Sequence, residues 1–319
     1  MKAIRVHQFG SPEVLQLEEV PDPVPGVGQV LIRVRAAGAN PLDTYLRAGV
    51  KVGDYETPFP WTPGNDAAGT VAAVGEGVTK VKVGDRVYAQ PLTGSYAELV
   101  LSNEAQVYPL PDNISFPQAT CINIACRTAY YSLFKLAKAT SGQVVLVHGA
   151  SGSVGNAATQ LAIDAGLKVI GTAGSDAGMQ LVKDSGAHHV FNHRQPDYIS
   201  QIQAVVNGVD IILEMAASNN LPKDFSLINP GGHIIVIGGA KPVEIDPVAI
   251  IGLGINIIGV RLSLINEKLN REIHAALYNK LAQRSLRPAV DLEIPLAEAP
   301  RAHYELEKPG SLGKICLIP

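Results

Sequence analysis

The chain has 319 residues, of which 46% are apolar and 17% charged, and its formal net charge is −3. That balance excludes wholesale disorder, and it excludes a global basic field for gripping nucleic acid or an anionic membrane. The length suits two domains or one large one. Three cysteines, Cys121, Cys126 and Cys316, are too few for a disulfide framework or a four-thiolate zinc site. They suit a reducing setting, and a cytoplasmic location is expected.

In chain order, MKAIRV (1–6) reads as an edge strand and not as a targeting leader, because one charge precedes a short interrupted run. PDPVPGVGQ (21–29) is a loop, and Val30–Ala37 alternates as a half-buried strand does. Thr70–Val78 and Asp85–Ala89 are further strands parted by glycine turns. Residues 1–115 therefore read as a β-rich, barrel-like unit. From about 116 the texture changes. Pro117–Leu136 reads as helix, Gln143–His148 as a buried strand, Val154–Ala165 as helix, Lys168–Gly171 as strand and Ala177–Ser185 as helix. Val190–Asn192, Val209–Glu214 and His233–Gly238 read as further strands. Such alternation predicts βαβ units and a doubly wound parallel sheet, an α/β fold.

The apolar stretch near 248–264 is broken by Asn256 and Arg261 and is too short and polar to span a bilayer. Read as a strand run, it suggests sheet extension across a subunit interface, so a homodimer or homotetramer is expected. Glu267–Arg284 reads as a helix, and KICLIP closes the chain as a strand.

The strongest motif is VVLVHGASGSVGNAATQLA (144–162). A strand runs into Gly149, Gly152 and Gly155, and a helix opens at once. Glycines permit a tight turn and close approach to a pyrophosphate, and the helix N-terminus offers free N–H groups. NAD sites usually place an acid at the end of the next strand. Here Gly171 and Thr172 stand there, and Asp176 comes late as a helix-start residue. The missing acid favours NADPH over NADH, with Lys168, Ser175, His193 and Arg194 as candidate partners of a 2′-phosphate. His188, His189 and His193 are the one histidine cluster visible in the sequence. Their adjacent positions diverge in direction, so no metal is expected there.

The stretches AAGANPLDTYLRAG (36–49), TPGNDAAGTVAAVG (62–75), VKVGDRVYA (81–89), LVHGASGSVGNAATQLA (146–162), VIGTAG (169–174), GAHHVFNHR (186–194) and DIILEM (210–215) carry a resemblance, as does the run from Asn220 to Gly238. Together they are similar to the medium-chain dehydrogenase/reductase superfamily and, within it, to the zeta-crystallin family of quinone oxidoreductases. The resemblance implies a GroES-like β-barrel catalytic domain (1–118, completed by 262–319) and a Rossmann NADPH-binding domain (119–261). Zinc enzymes of that superfamily place a Cys in the segment matching GANPLD and a His-Glu pair in the segment matching GNDAAG. This chain has Asn40 and Pro41 in the first and Asn65 and Asp66 in the second, so a zinc-independent reaction is implied.

That reaction is reduction by NADPH of an electron-poor acceptor, a quinone or, as the alternative, an enone or 2-alkenal. Some relatives are lens structural proteins and some bind AU-rich RNA, but no arginine-rich or RNA-type aromatic motif appears. By resemblance, Asn40, Tyr45 and Thr128 belong to the catalytic side. Asn40 could instead cap the turn before Pro41, and Tyr45 could pack on the barrel. Asp66 reads as a polar cleft wall or a turn cap. Ser151, Gly152, Ser153 and Val154 face the diphosphate, and Gly174 and His193 lie near the adenosine phosphate. Tyr45, Asn220, Ile237, Gly238, Gly239, Ala240, Val260, Arg261 and Leu262 line the rest of the groove. Arg261 could tune acceptor choice or be an outward salt-bridged residue. Tyr55 and Trp61 could form a lid or pack on the surface.

Overall fold

The computed structural model describes residues 1–53, 57–239 and 241–319. The chain divides into two compact units, Met1–Ile124 with Pro288–Pro309 and Lys314–Pro319, and Ala125–Arg287 with Gly310–Gly313. Strands and helices run β1 (Lys2–Arg5), β2 (Gln16–Glu19), β3 (Gln29–Ala39), α1 (Pro41–Arg47), β4 (Asp66–Val74), β5 (Arg86–Ala89), β6 (Leu99–Asn103), β7 (Val107–Pro109), α2 (Phe116–Ala119), α3 (Arg127–Tyr130), β8 (Val144–Val147), α4 (Ser153–Asp164), β9 (Lys168–Ala173), α5 (Asp176–Asp184), β10 (His189–Asn192), α6 (Tyr198–Val205), β11 (Val209–Glu214), α7 (Ala217–Asp224), β12 (Ile228–Val236), α8 (Pro247–Leu253), β13 (Asn256–Gly259), α9 (Glu267–Ala282), β14 (Val290–Pro295), α10 (Ala299–Glu307) and β15 (Lys314–Ile318).

The first unit is the β-rich one. Its seven-stranded sheet runs β14-β15-β3-β4-β5-β7, with β6 on β3. β3 carries the alternation seen in the sequence and pairs antiparallel with β4, β6 and β15. Val30, Ile32, Val71, Val87, Val100, Ile315 and Leu317 meet in its core. Trp61 exchanges backbone hydrogen bonds with Val6 and packs against this core, so it belongs to the unit's surface layer. Tyr55 lies outside the described residues.

The second unit holds a parallel six-stranded sheet in the order β10-β9-β8-β11-β12-β13. Numbered within the unit, that is 3-2-1-4-5-6, the order of a dinucleotide-binding sheet. β8 and β11 are buried along nearly their whole length, as strands covered on both faces must be.

Three sequence expectations change. The helix expected over Pro117–Leu136 is interrupted: Ile122–Cys126 and Tyr131–Leu136 are π-helical around the short α3. The Ile124 N–H donates to Asp66 Oδ1 at 3.1 Å, which diverts it from the helical ladder. The apolar run near 248–264 is not one strand. Asp246 caps α8, Gly254 ends it at φ 59°, and only Asn256–Gly259 joins the sheet. The chain returns to the first unit at Pro288 and not near 262. α9 stays with the second unit, where Ile273, His274, Leu277 and Leu281 are buried and Arg127 donates to Asn270.

Candidate active site

The cradle forms where the strand order reverses, at the adjoining C-terminal ends of β8 and β11. Gly149 follows β8 at φ 61°, a conformation that glycine adopts without strain. A Cβ on Gly155 would lie 2.4 Å from Gly149 O and 2.6 Å from Ala150 Cα, so only glycine lets α4 seat against the turn. Gly152 is the N-cap of α4, and Ser153 and Val154 open the helix. Their N–H groups have no carbonyl within the helix to bond, which suits an anion. Ser151 is buried within this turn.

β9 ends Gly171-Thr172-Ala173, buried and without an acid, and Ser175 caps α5 by accepting from the Gly178 N–H. A Cβ on Gly174 would meet His193 Nε2 at 2.7 Å and Arg194 Nε at 3.1 Å. Gly174, His193 and Arg194 therefore stand together, with Ser175 next in the chain. Lys168 sits at the opposite end of β9, away from this group. Sequence reading missed the returning segment Gly310–Gly313. Ser311 Oγ lies 3.4 Å from where a Gly152 Cβ would stand, and Ser175 Oγ 3.9 Å from that of Gly310.

Across the crevice, the N–H groups of Ile237 and Gly238 donate to Glu214 O at 2.8 and 3.2 Å. A Cβ on Gly238 would strike Met215 O at 2.4 Å. Asn220 on α7 donates weakly to Glu214 Oε1 and accepts from Tyr198. Gly239 follows the strand and Val260 bonds back to Val236 O. Arg261 is exposed, its Nε donates to Ser263 Oγ at 3.0 Å, and Leu262 starts a 3-10 turn. Ala240 lies outside the described residues.

Beneath the turn lies a group that sequence reading did not single out. His148, Glu214 and Asp224 are at most 1% exposed, and one ligand-type atom from each lies within 4.8 Å of the others. His148 Nε2 stands 3.0 Å from Asp224 Oδ1 and 3.7 Å from Glu214 Oε2. Burial pushes the histidine down and both carboxyls up from their usual ranges. Two polar residues at apolar strand ends, His148 after β8 and Glu214 closing β11, were the signal available; Asp224 ends α7.

In the first unit, α1 carries Asn40 as its N-cap residue and Pro41 at its first position. The Asn40 carboxamide is buried and engaged at both ends: Nδ2 donates to Asp66 Oδ2 at 2.9 Å, and Oδ1 accepts from Lys314 Nζ at 2.6 Å. Lys314 Nζ also donates to Asp66 Oδ2 at 2.7 Å, with both side chains fully buried. Asp66 is thus half of a buried ion pair, neither an open cleft wall nor a turn cap. Asp43 accepts from the Asn40 N–H and from the Tyr96 hydroxyl, and burial raises its carboxyl to about 6. Tyr45, next along α1, is half-buried. Thr128 is buried in α3 of the second unit.

A nucleotide-binding parallel sheet in one unit, and a β-rich unit completed by a returning C-terminal strand, define a dehydrogenase/reductase architecture. Comparison with known proteins agrees. Residues 26–112 match the alcohol dehydrogenase GroES-like domain, and residues 153–277 match the zinc-binding dehydrogenase family. Quinone oxidoreductase of Sus scrofa is 43% identical over all of this chain and 98% of its own length. Among solved structures, Escherichia coli quinone oxidoreductase complexed with NADPH superposes with a TM-score of 0.91 at 27% identity, with both chains covered in full. An NAD-dependent alcohol dehydrogenase superposes at 0.93, also at 27% identity and full coverage of both chains. The chain belongs to the quinone oxidoreductase family of medium-chain dehydrogenases/reductases.

The zinc in one matched family's description does not fit the residues at Asn40 and Asp66. The Lys314 ammonium already occupies the position between their oxygens, and a carboxamide is a poor zinc donor beside a fixed cation.

Proposed function

We propose that the chain is an NADPH-dependent quinone reductase that acts without zinc. The observation that carries this reading is the glycine cradle at the switch point, joined to a β9 end that lacks an acid and faces Ser175, His193 and Arg194. When bound, NADPH supplies a hydride. The N–H groups of Ser153 and Val154, with Ser151, hold the diphosphate. Ser175, His193 and Arg194 take the 2′-phosphate, and the absent acid removes the charge that would repel it. Thr128 faces the nicotinamide end and Asn220 lines the rest of the groove, as the family resemblance implies.

On the acceptor side, the Tyr45 phenol donates a hydrogen bond to the oxygen that gains charge. Asn40 fixes the start of α1, because its own amide is committed to Asp66 and Lys314. The test is NADPH oxidation with 1,2-naphthoquinone, 9,10-phenanthrenequinone and 2-alkenals side by side. The quinones are expected to turn over fastest, and turnover with alkenals alone would assign the protein to enone reduction.

The chain is also proposed to pair with itself. β13 is the outer strand of the second sheet, and beside it Val248, Ile251 and Leu264 are 71–79% exposed. A homodimer would cover them. No helix among the described residues is long and apolar enough to cross a membrane. The cysteines are unbridged, which supports a reducing compartment such as the cytoplasm.

A further inference from the structure

The buried group beneath the glycine turn is one link in a chain of hydrogen bonds through the second unit. It begins at the Gly149 N–H, which donates to Thr172 Oγ1 at 3.2 Å. That hydroxyl lies 3.4 Å from His148 Nδ1 and donates to it when the neutral imidazole carries its hydrogen on Nε2, the nitrogen that faces the two carboxyls. His148 then carries its hydrogen on Nε2 and donates to Asp224 Oδ1 at 3.0 Å. At the far end Glu214 Oε1 accepts the Ala216 N–H and the Asn220 amide.

The middle is incomplete. Glu214 Oε2 and Asp224 Oδ2 are buried oxygens that no donor of another residue reaches. Two ionised carboxylates held face to face without a donor cost several kcal/mol in a dry interior. The Glu214 and Asp224 carboxyls lie within hydrogen-bonding reach of each other, so a single proton shared between them lets one donate to the other and closes the line from Gly149 to Ala216.

We propose that His148, Glu214 and Asp224 are positioning residues of the cofactor half-site, which share one proton and through it lock the diphosphate turn to the loop after β11. The inference rests on the cofactor assignment above. The two ends of the line are the two walls of the cradle: Gly149 opens the phosphate turn, and Ala216 follows Met215, against which Gly238 packs. Loss of the proton places a second negative charge under the diphosphate and pushes Glu214 away from the loop it holds. Cofactor affinity therefore falls as pH rises, and by reciprocity the bound cofactor tightens the cluster's hold on its proton.

Other charged groups face the cluster. Lys223 on α7 favours the ionised Asp224 carboxylate and the neutral His148, and its ammonium lies over the Tyr198 ring at 5.6 Å. Tyr198 on α6 is held above its ordinary value by burial and by both carboxylates, to about 12, and stays neutral throughout. His193 after β10 is lowered by burial and by neighbouring cations, and the 2′-phosphate ionises near pH 6, so both titrate below the window tested.

The experiment is NADPH binding by fluorescence titration between about pH 7 and 9, in wild type, Glu214→Gln and Asp224→Asn. Each amide can donate across the gap at any pH. Wild-type Kd is expected to rise about tenfold across the window, and that of both variants to change less than about twofold. Superimposable profiles for wild type and Glu214→Gln would overturn the proposal. Absence of NADPH binding at every pH would instead overturn the cofactor assignment. A second measurement needs no cofactor: in the infrared difference spectrum of wild type minus Glu214→Gln, which cancels the Asp43 carboxyl, the C=O band of a protonated carboxyl should be present at pH 6.5 and lost by pH 9. Its absence at pH 6.5 would overturn the shared proton, as would stoichiometric zinc bound by wild type and lost in Glu214→Gln.

Discussion

Each unit buries a polar cluster, and the two are built differently. In the first, Lys314 stands between Asp66 and Asn40, so the cation is matched and the amide is used at both ends. In the second, two carboxyls share a site with a neutral-leaning histidine, and the glycine turn above them presents N–H groups that have no carbonyl within the helix to bond. The first arrangement is closed scaffolding. The second is a support under an open anion cradle. Burial of charge alone does not mark a ligand site; unspent hydrogen-bonding capacity facing a crevice does.

The largest effect should come from breaking the closed cluster. Lys314→Met leaves Asp66 buried without its cation and is expected to cost about 3–5 kcal/mol in urea unfolding. The double variant Lys314→Met/Asp66→Leu should recover most of it. A single-variant cost below about 1 kcal/mol would show that the pair is solvated and the contrast false.

Next is the pH dependence of the first unit. Asp43 has a folded value near 6 against an unfolded value of 3.8, so the folded chain binds its proton more tightly. Its contribution to stability is then full below about pH 4, declines as pH rises to about 6, and is flat beyond, a loss of about 2–3 kcal/mol. Asp43→Asn should remove that slope from a series of urea midpoints.

In the second unit, Gly155→Ala forces a methyl against turn backbone. It is expected to weaken NADPH binding about tenfold and cost about 1–3 kcal/mol of stability. Unaltered binding would mean that the turn does not hold the diphosphate. The smallest effect is Tyr45→Phe, with kcat expected to fall about three- to tenfold against 1,2-naphthoquinone and little change in melting temperature. An unchanged kcat would reduce Tyr45 to packing.

Much of the second unit was legible in the sequence, because parallel strands covered on both faces read as apolar runs and the glycine turn has fixed chemistry. Val209–Glu214 was placed to the residue. The region near 248–264 was not, because a short apolar run does not tell helix from strand; the Asp246 cap and Gly254 decide it. The π-helical break at Ile122–Cys126 depends on Asp66, 58 residues away in sequence from the Ile124 N–H it accepts. Lys314 opens an apolar terminal strand, and nothing in the sequence singles it out; only the pairing of β15 with β3 brings it to Asn40 and Asp66. His148 and Glu214 were each visible at a strand end, but their meeting with Asp224 depends on the fold of α7.

Every role proposed for the second unit depends on its being an NADPH site. The most direct measurement is fluorescence titration of wild type and Arg194→Ala with NADPH and NADH. Wild type should bind NADPH at least about tenfold more tightly than NADH, and Arg194→Ala should lose most of that margin while NADH binding stays within about twofold. Tighter binding of NADH by wild type would contradict it.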